Sequence, residues 1–76
     1  MMLALTPQRY HILKYIDRCI IANGHAPRLQ EIAREFGIKS AAVDGHIKLL
    51  EKHGYIQRRR WHPQETTIVH IPGRAS

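Results

Sequence analysis

Two stretches of this chain carry side chains that could do chemistry: Lys39-Ser40-Ala41-Ala42-Val43-Asp44-Gly45-His46-Ile47-Lys48 and Arg58-Arg59-Arg60-Trp61. In the first, a serine hydroxyl and the free N–H groups of a helix start can receive an anion, most simply a phosphate. Ser40 is read as the helix N-cap, a role that stabilises the helix with or without a bound phosphate. Ala41 and Ala42 can touch a thymine methyl, or serve only as good helix formers. Asp44 can accept a hydrogen bond from cytosine N4, or it is a carboxylate favoured by the positive end of the helix dipole. Gly45 is unexpected inside a helix, where it costs about 1 kcal/mol relative to alanine. Close approach of another surface would account for it, either the wall of a DNA groove or a neighbouring helix of the protein itself.

The arginine run concentrates charge. Alternate side chains of a strand point to opposite faces, so Arg58, Arg59 and Arg60 share one surface only on an exposed hairpin. A hairpin that straddles a phosphate ridge, or dips into the minor groove, gives each of them a partner. A strand edge kept soluble by charge is the alternative. Trp61 sits at the tip, to stack on a sugar or base or to cover the base of the hairpin. Lys39, Lys48, Lys52, Arg28 and Arg34 are further phosphate candidates, although each taken singly is ordinarily a solvated charge.

Other chemistries find little support. There is no Gly-rich phosphate loop, no supported Ser-His-Asp order and no acid pair near a plausible cleft, so the chain is read as a non-enzyme. Six histidines raise the question of a metal. His46 and His53 are too far apart on one helix for joint ligation, and His62 and His70 flank a hairpin across which they could meet. No Cys pair or His-x-x-x-His supports a zinc site, and no metal or other cofactor is expected.

Three helices must position these residues. Thr6-Pro7 starts the first, with Thr6 as cap and Pro7 at the first helical position. Ile12, Ile16 and Ile20, with Leu13 and Cys19 beside them, form its apolar face, and Lys14, Asp17 and Arg18 lie off that face. Asn23-Gly24 ends it. After the short extended link His25-Ala26-Pro27, a second helix is expected over 28–36, with Leu29, Ile32, Ala33 and Phe36 inward. Arg28 is a poor N-cap, so this helix is expected to lean on tertiary packing. Gly37 closes it and Ile38 folds back onto the core. The third helix, 40–53, turns Val43, Ile47 and Leu50 inward and leaves Ala41, Ala42, Asp44, Gly45 and Lys48 outside. Gly54 stops it. Strands are expected over 55–61 and 66–71 around a turn at His62-Pro63-Gln64-Glu65. This order predicts a mainly α fold with a small β-hairpin: a winged helix-turn-helix, three-helix core plus wing. In such folds one helix enters the major groove and the hairpin grips the backbone beside it.

Composition agrees. Seventy-six residues make one small domain with no room for a large enzyme pocket. Twelve Lys and Arg against six Asp and Glu give a net charge of +6, which favours an anionic partner. Cys19 has no second cysteine to pair with, and its apolar neighbours suggest a packed thiol in a reducing compartment. No apolar run reaches the length of a membrane span and no signal-peptide core is present, so a cytoplasmic protein is expected.

Leu5-Thr6-Pro7-Gln8-Arg9, Glu31-Ile32-Ala33-Arg34-Glu35-Phe36-Gly37 and Val43-Asp44-Gly45-His46-Ile47-Lys48-Leu49-Leu50-Glu51-Lys52-His53-Gly54-Tyr55-Ile56 resemble the N-terminal DNA-binding domain of LexA-type repressors. The resemblance holds in register over residues 4–58, and the hairpin matches in kind only. It implies a transcriptional repressor that binds a near-palindromic operator as a dimer. It also implies that bases are read by the turn and the first half of the third helix, carried here by Ser40, Ala41, Ala42, Asp44 and Gly45. Three departures stand out. The turn before the third helix is one residue shorter than the family's Ser-containing turn. Two alanines and a glycine replace polar side chains of better-known members, which implies a different target sequence. LexA repressors also have a second, self-cleaving domain with a serine–lysine pair that supplies dimerisation; these residues hold no counterpart, and self-cleavage is not expected of them.

The expectation is therefore a sequence-specific double-stranded DNA-binding transcriptional regulator of the repressor kind. Residues 1–71 form its winged helix-turn-helix domain and residues 72–76 a tail or the start of a linker. A single module offers few base contacts, so tight binding calls for a homodimer on a palindromic operator. A membrane or a small-molecule substrate is not expected. The alternatives are a winged-helix module for protein partners, and a nonspecific nucleic-acid binder.

Overall fold

Apolar spacing, caps and glycine stops produce five elements in a computed structural model that describes residues 5–59 and 62–73. They are α1 (Pro7–Asn23), α2 (Leu29–Phe36), α3 (Ser40–Lys52), β1 (Ile56–Arg59) and β2 (His62–Ile68). The two strands pair antiparallel as a hairpin beside the three helices, so the winged helix-turn-helix is the observed fold.

In α1, Thr6 Oγ1 accepts the Arg9 N–H at 3.2 Å and Pro7 begins the helix. Ile12, Leu13 and Ile16 are buried, with Ile20 partly buried against them. Asp17 departs from expectation: it is buried, not off the apolar face. The covered arc of α1 runs through Leu13 to the position four residues on, which is wider than the isoleucine stripe alone.

The start of α2 is held by its own sequence after all. The Arg28 side chain makes no cap bond, but Glu31 Oε1 reaches back to accept the Arg28 backbone N–H at 2.8 Å. This is the Glu half of a capping box. Ile32 and Ala33 are buried, and Phe36 meets Tyr15 of α1 edge-on, ring centroids 5.7 Å apart.

The turn into α3 corrects the reading of Ser40. Gly37 takes the left-handed conformation, φ 65°, and the Ile38 N–H returns to Ala33 O at 3.0 Å, which brings Ile38 against the core. Lys39 is then the extended residue from which the helix springs, so Lys39, without a side-chain bond, is the N-cap. Ser40 is the first helical residue and exposed.

At the other end, Gly54 at φ 83° permits a Schellman closure. The Gly54 N–H donates to Glu51 O at 3.1 Å and the Tyr55 N–H to Leu50 O at 2.9 Å. This turn sends Tyr55 and Ile56 straight into the core.

The hairpin differs from expectation in its turn. Ile56 pairs with Ile68, Gln57 with Thr67 and Arg59 with His62, with an irregularity between Gln57 and Arg59. His62-Pro63-Gln64-Glu65 thus lies in β2 and does not form the turn. This part of the strand runs along the α1–α2 link, where the Ala26 N–H donates to Gln64 O at 3.0 Å and Gln64 Nε2 lies 3.4 Å from His25 Nδ1. β2 also ends before the expected strand does. The N–H groups of Val69 and His70 both turn to Tyr55 O, at 2.9 and 3.2 Å, and Ile71 is buried beyond the strand.

Candidate nucleic-acid interface

The outer flank of α3 follows from helix geometry. At about 100° per residue, Val43, Ile47 and Leu50 fall together, and they are 0%, 4% and 0% exposed. Ala41, Ala42, Gly45, Lys48 and Lys52 are consequently thrown outward, and all five are exposed. A Cβ added at Gly45 would meet no described atom within 4 Å. The protein's own packing therefore does not demand this glycine, and the neighbouring-helix explanation is removed. The large apolar side chains that stand exposed among the described residues are Ile21 and Val69, neither on this flank. An apolar protein-docking face on α3 is thus absent from the described surface.

Charges edge the flank on both sides. Asp44 is ion-paired with Lys48 one turn on, Nζ to Oδ2 2.9 Å, so a cytosine contact by Asp44 must compete with that pair. Toward the hairpin, Glu51 Oε1 accepts Arg58 Nη2 at 3.1 Å and Nε at 3.3 Å. Toward α1, Arg9 Nε donates to His46 Nδ1 at 3.1 Å. Burial, and after it the Arg9 charge, push His46 below its ordinary pKa.

On the hairpin the first two arginines have different surroundings. The Arg58 side chain is 24% exposed, folded against Glu51. Arg59 is 66% exposed, and its Nη1 meets Glu65 Oε1 at 2.9 Å. His62 Nδ1 stands 3.4 Å from the other Glu65 oxygen. Arg60 and Trp61, which the sequence placed with them, lie outside the described residues. Arg28, Arg34 and Lys39 are exposed on α2 and the turn.

A groove of about 590 Å³ brings distant positions together: Arg28, Ser40, Arg58 and Gln64 line it, with Ile32 and Ile47 from the core. None of its lining residues is acidic. Sequence spacing alone did not show that the start of α2, the start of α3 and the hairpin share one concavity. It also missed Glu51 and Glu65 as partners of the arginines and Arg9 as a partner of α3. Glu65 lies three residues beyond the His62 that opposes Arg59, and only the irregular register brings it near, while Arg9 and His46 leave no local signal.

The histidines do not converge. His70 stacks on Tyr55 with ring centroids 6.0 Å apart, while His62 faces Glu65. Among the described residues no three His, Cys, Asp or Glu side chains are grouped to hold a metal ion. No helix of the described residues is long and apolar enough to cross a membrane.

Comparison with known proteins agrees with this geometry. Residues 2–64 match the LexA DNA binding domain family. The LexA repressor of Pseudomonas chlororaphis is 41% identical over 73 residues, which cover 95% of this chain and 35% of that protein. LexA repressor 1 of Pseudomonas putida shows the same identity and coverage. The LexA repressor of Thermotoga neapolitana is 38% identical over 65 residues, 86% of this chain and 33% of that protein. The chain spans about a third of the length of these relatives. With three helices, a hairpin and a match that runs from before α1 into β2, the chain belongs to the LexA DNA-binding domain family.

Proposed function

We propose that this chain is a sequence-specific double-stranded DNA-binding module of a transcriptional repressor. The observation that carries this reading is the outer flank of α3, where Ala41, Ala42 and Gly45 lie exposed with open space above the glycine. Such a flank lets the helix lie deep in a major groove, where alanine methyls meet thymine methyls and Asp44, if released by Lys48, meets cytosine N4. Ser40 and the N–H groups of the α3 start face the flanking phosphate. Arg28, Lys39, Lys48, Arg58 and Arg59, together with Arg60 and Trp61, hold the sugar–phosphate rails. The phosphate contacts supply most of the affinity, and the few base contacts supply the choice of sequence.

Two copies on adjacent half-sites make the binding tight, and the operator is accordingly near-palindromic. The module acts in the cytoplasm, where a bacterial chromosome lies, and represses by occupying its site; it performs no catalysis.

Selection of bound duplexes from a random pool tests the whole reading. A recurring motif with two inverted halves is the expected result. Equal retention of unrelated duplexes would leave only nonspecific binding, and no retention at low ionic strength would end the proposal.

A further inference from the structure

Arg9 belongs to the first turn of α1 and His46 to the middle of α3, yet Arg9 Nε donates to His46 Nδ1 at 3.1 Å in a partly buried contact. A guanidinium offers donors and no acceptor. Nδ1 must therefore be the acceptor and carry no proton, which fixes the ring as neutral with its proton on Nε2. A protonated ring would set a second donor against the first, with two positive charges at hydrogen-bond distance. Ring burial and the Arg9 charge both oppose that state. Arg9 is the one charge on the described residues that shifts the ring. Its near neighbours on α3 are Ala42, Val43, Leu49 and Leu50, while Asp44 and Lys48 are occupied with each other. No charge on α2 or the hairpin contributes to its shift.

The contact falls at a telling place. His46 follows Gly45, the residue at which the α3 backbone has least local support. On the side of α3 facing the hairpin, Glu51 is tied to Arg58. On the side facing α1, the tie is Arg9 to His46.

We propose that Arg9 is a positioning residue for DNA reading, acting through neutral His46 to hold the outer flank of α3 at the angle that seats it in the groove. This rests on the DNA-binding reading above. Protonation of His46 breaks the tie, so acidification weakens sequence-specific binding through this one ring.

The test compares wild type, His46→Asn and Arg9→Lys on a duplex recovered from the random pool, at fixed ionic strength between about pH 7.5 and about pH 5.5. Asparagine keeps an acceptor near the Nδ1 position that does not titrate. Lysine keeps the charge of Arg9 and loses the Nε–H. The ratio of wild-type Kd to His46→Asn Kd should grow about fivefold on acidification, the low end of ordinary coupling between sites. Arg9→Lys should bind more weakly than wild type at the higher pH and lose the His46-dependent part of the profile. Circular dichroism at each pH confirms that all three stay folded. Nitrogen-detected NMR of the free protein should show His46 as the Nε2–H tautomer at the higher pH. The Nδ1–H tautomer would overturn the inference without any DNA present. Parallel profiles for wild type and His46→Asn on a selected duplex would overturn it while the functional reading stands. A pool that yields no duplex would instead overturn that reading, and the positioning role with it.

Discussion

Gly45 is where the demands of folding and of the proposed target part company. Folding alone would favour alanine, because the site is helical and exposed and an added methyl meets no described atom within 4 Å. Gly45→Ala should therefore stabilise the free protein by about 0.5–1 kcal/mol, read as a higher urea midpoint with unchanged slope. Gly45→Glu should leave the fold intact and abolish binding to a selected duplex, because a carboxylate on the flank meets the groove's negative field. Retained affinity in that variant would remove Gly45 from the interface. Arg59 makes the complementary case. Its exposed pair with Glu65 contributes little to stability. Arg59→Ala should change unfolding by less than about 0.5 kcal/mol. It should nevertheless weaken all duplexes alike and lower the slope of log affinity against log salt by about 1.

Elements were legible wherever a local rule decides them. The Ile12/Ile16 and Val43/Ile47/Leu50 spacings, the Thr6-Pro7 start and the Gly37 and Gly54 stops all have their expected structural roles. The misreadings fall where contacts between elements decide. Ser40 has the residue type of a cap, but Gly37 and Ile38 use up the turn and leave the capping place to Lys39. His62-Pro63-Gln64-Glu65 has the composition of a turn, but Gln64 pairs with Ala26 far back in the chain. At α2 the deciding residue is local: Arg28 is a poor cap, but Glu31 stands at the capping-box position three residues on. Of the interface, the outward flank of α3 was readable from periodicity, whereas the acidic partners of Arg58 and Arg59 were not. Substitutions check this revised account of the helix starts. Glu31→Ala should cost about 0.5–2 kcal/mol, the range of a lost cap, and Arg28→Ala much less. Ser40→Ala should shift urea unfolding by under about 0.5 kcal/mol, since it removes no cap bond, yet it should weaken duplex binding. A loss at Ser40 equal to that at Glu31 would restore Ser40 as the structural cap.

The whole molecule carries a net charge of +6, which draws it to DNA, and its stability depends on pH through His46. In the unfolded chain the ring titrates at its ordinary 6.5, and in the folded chain below that value. Between the two, the unfolded state holds a proton that the folded state does not, so stability rises with pH across that window. The contribution is fully present above 6.5, is lost as pH falls through the window, and has no further effect below the folded value. The chain should thus become easier to unfold on mild acidification. Urea unfolding of wild type and His46→Asn at matched ionic strength isolates the ring, because every other titrating group is common to both. Wild type should lose stability relative to the variant as pH drops below 6.5, with the difference levelling off once the folded ring is protonated. A constant difference at all pH values would mean that His46 titrates alike in both states, and that its contact with Arg9 does not hold the ring neutral in solution.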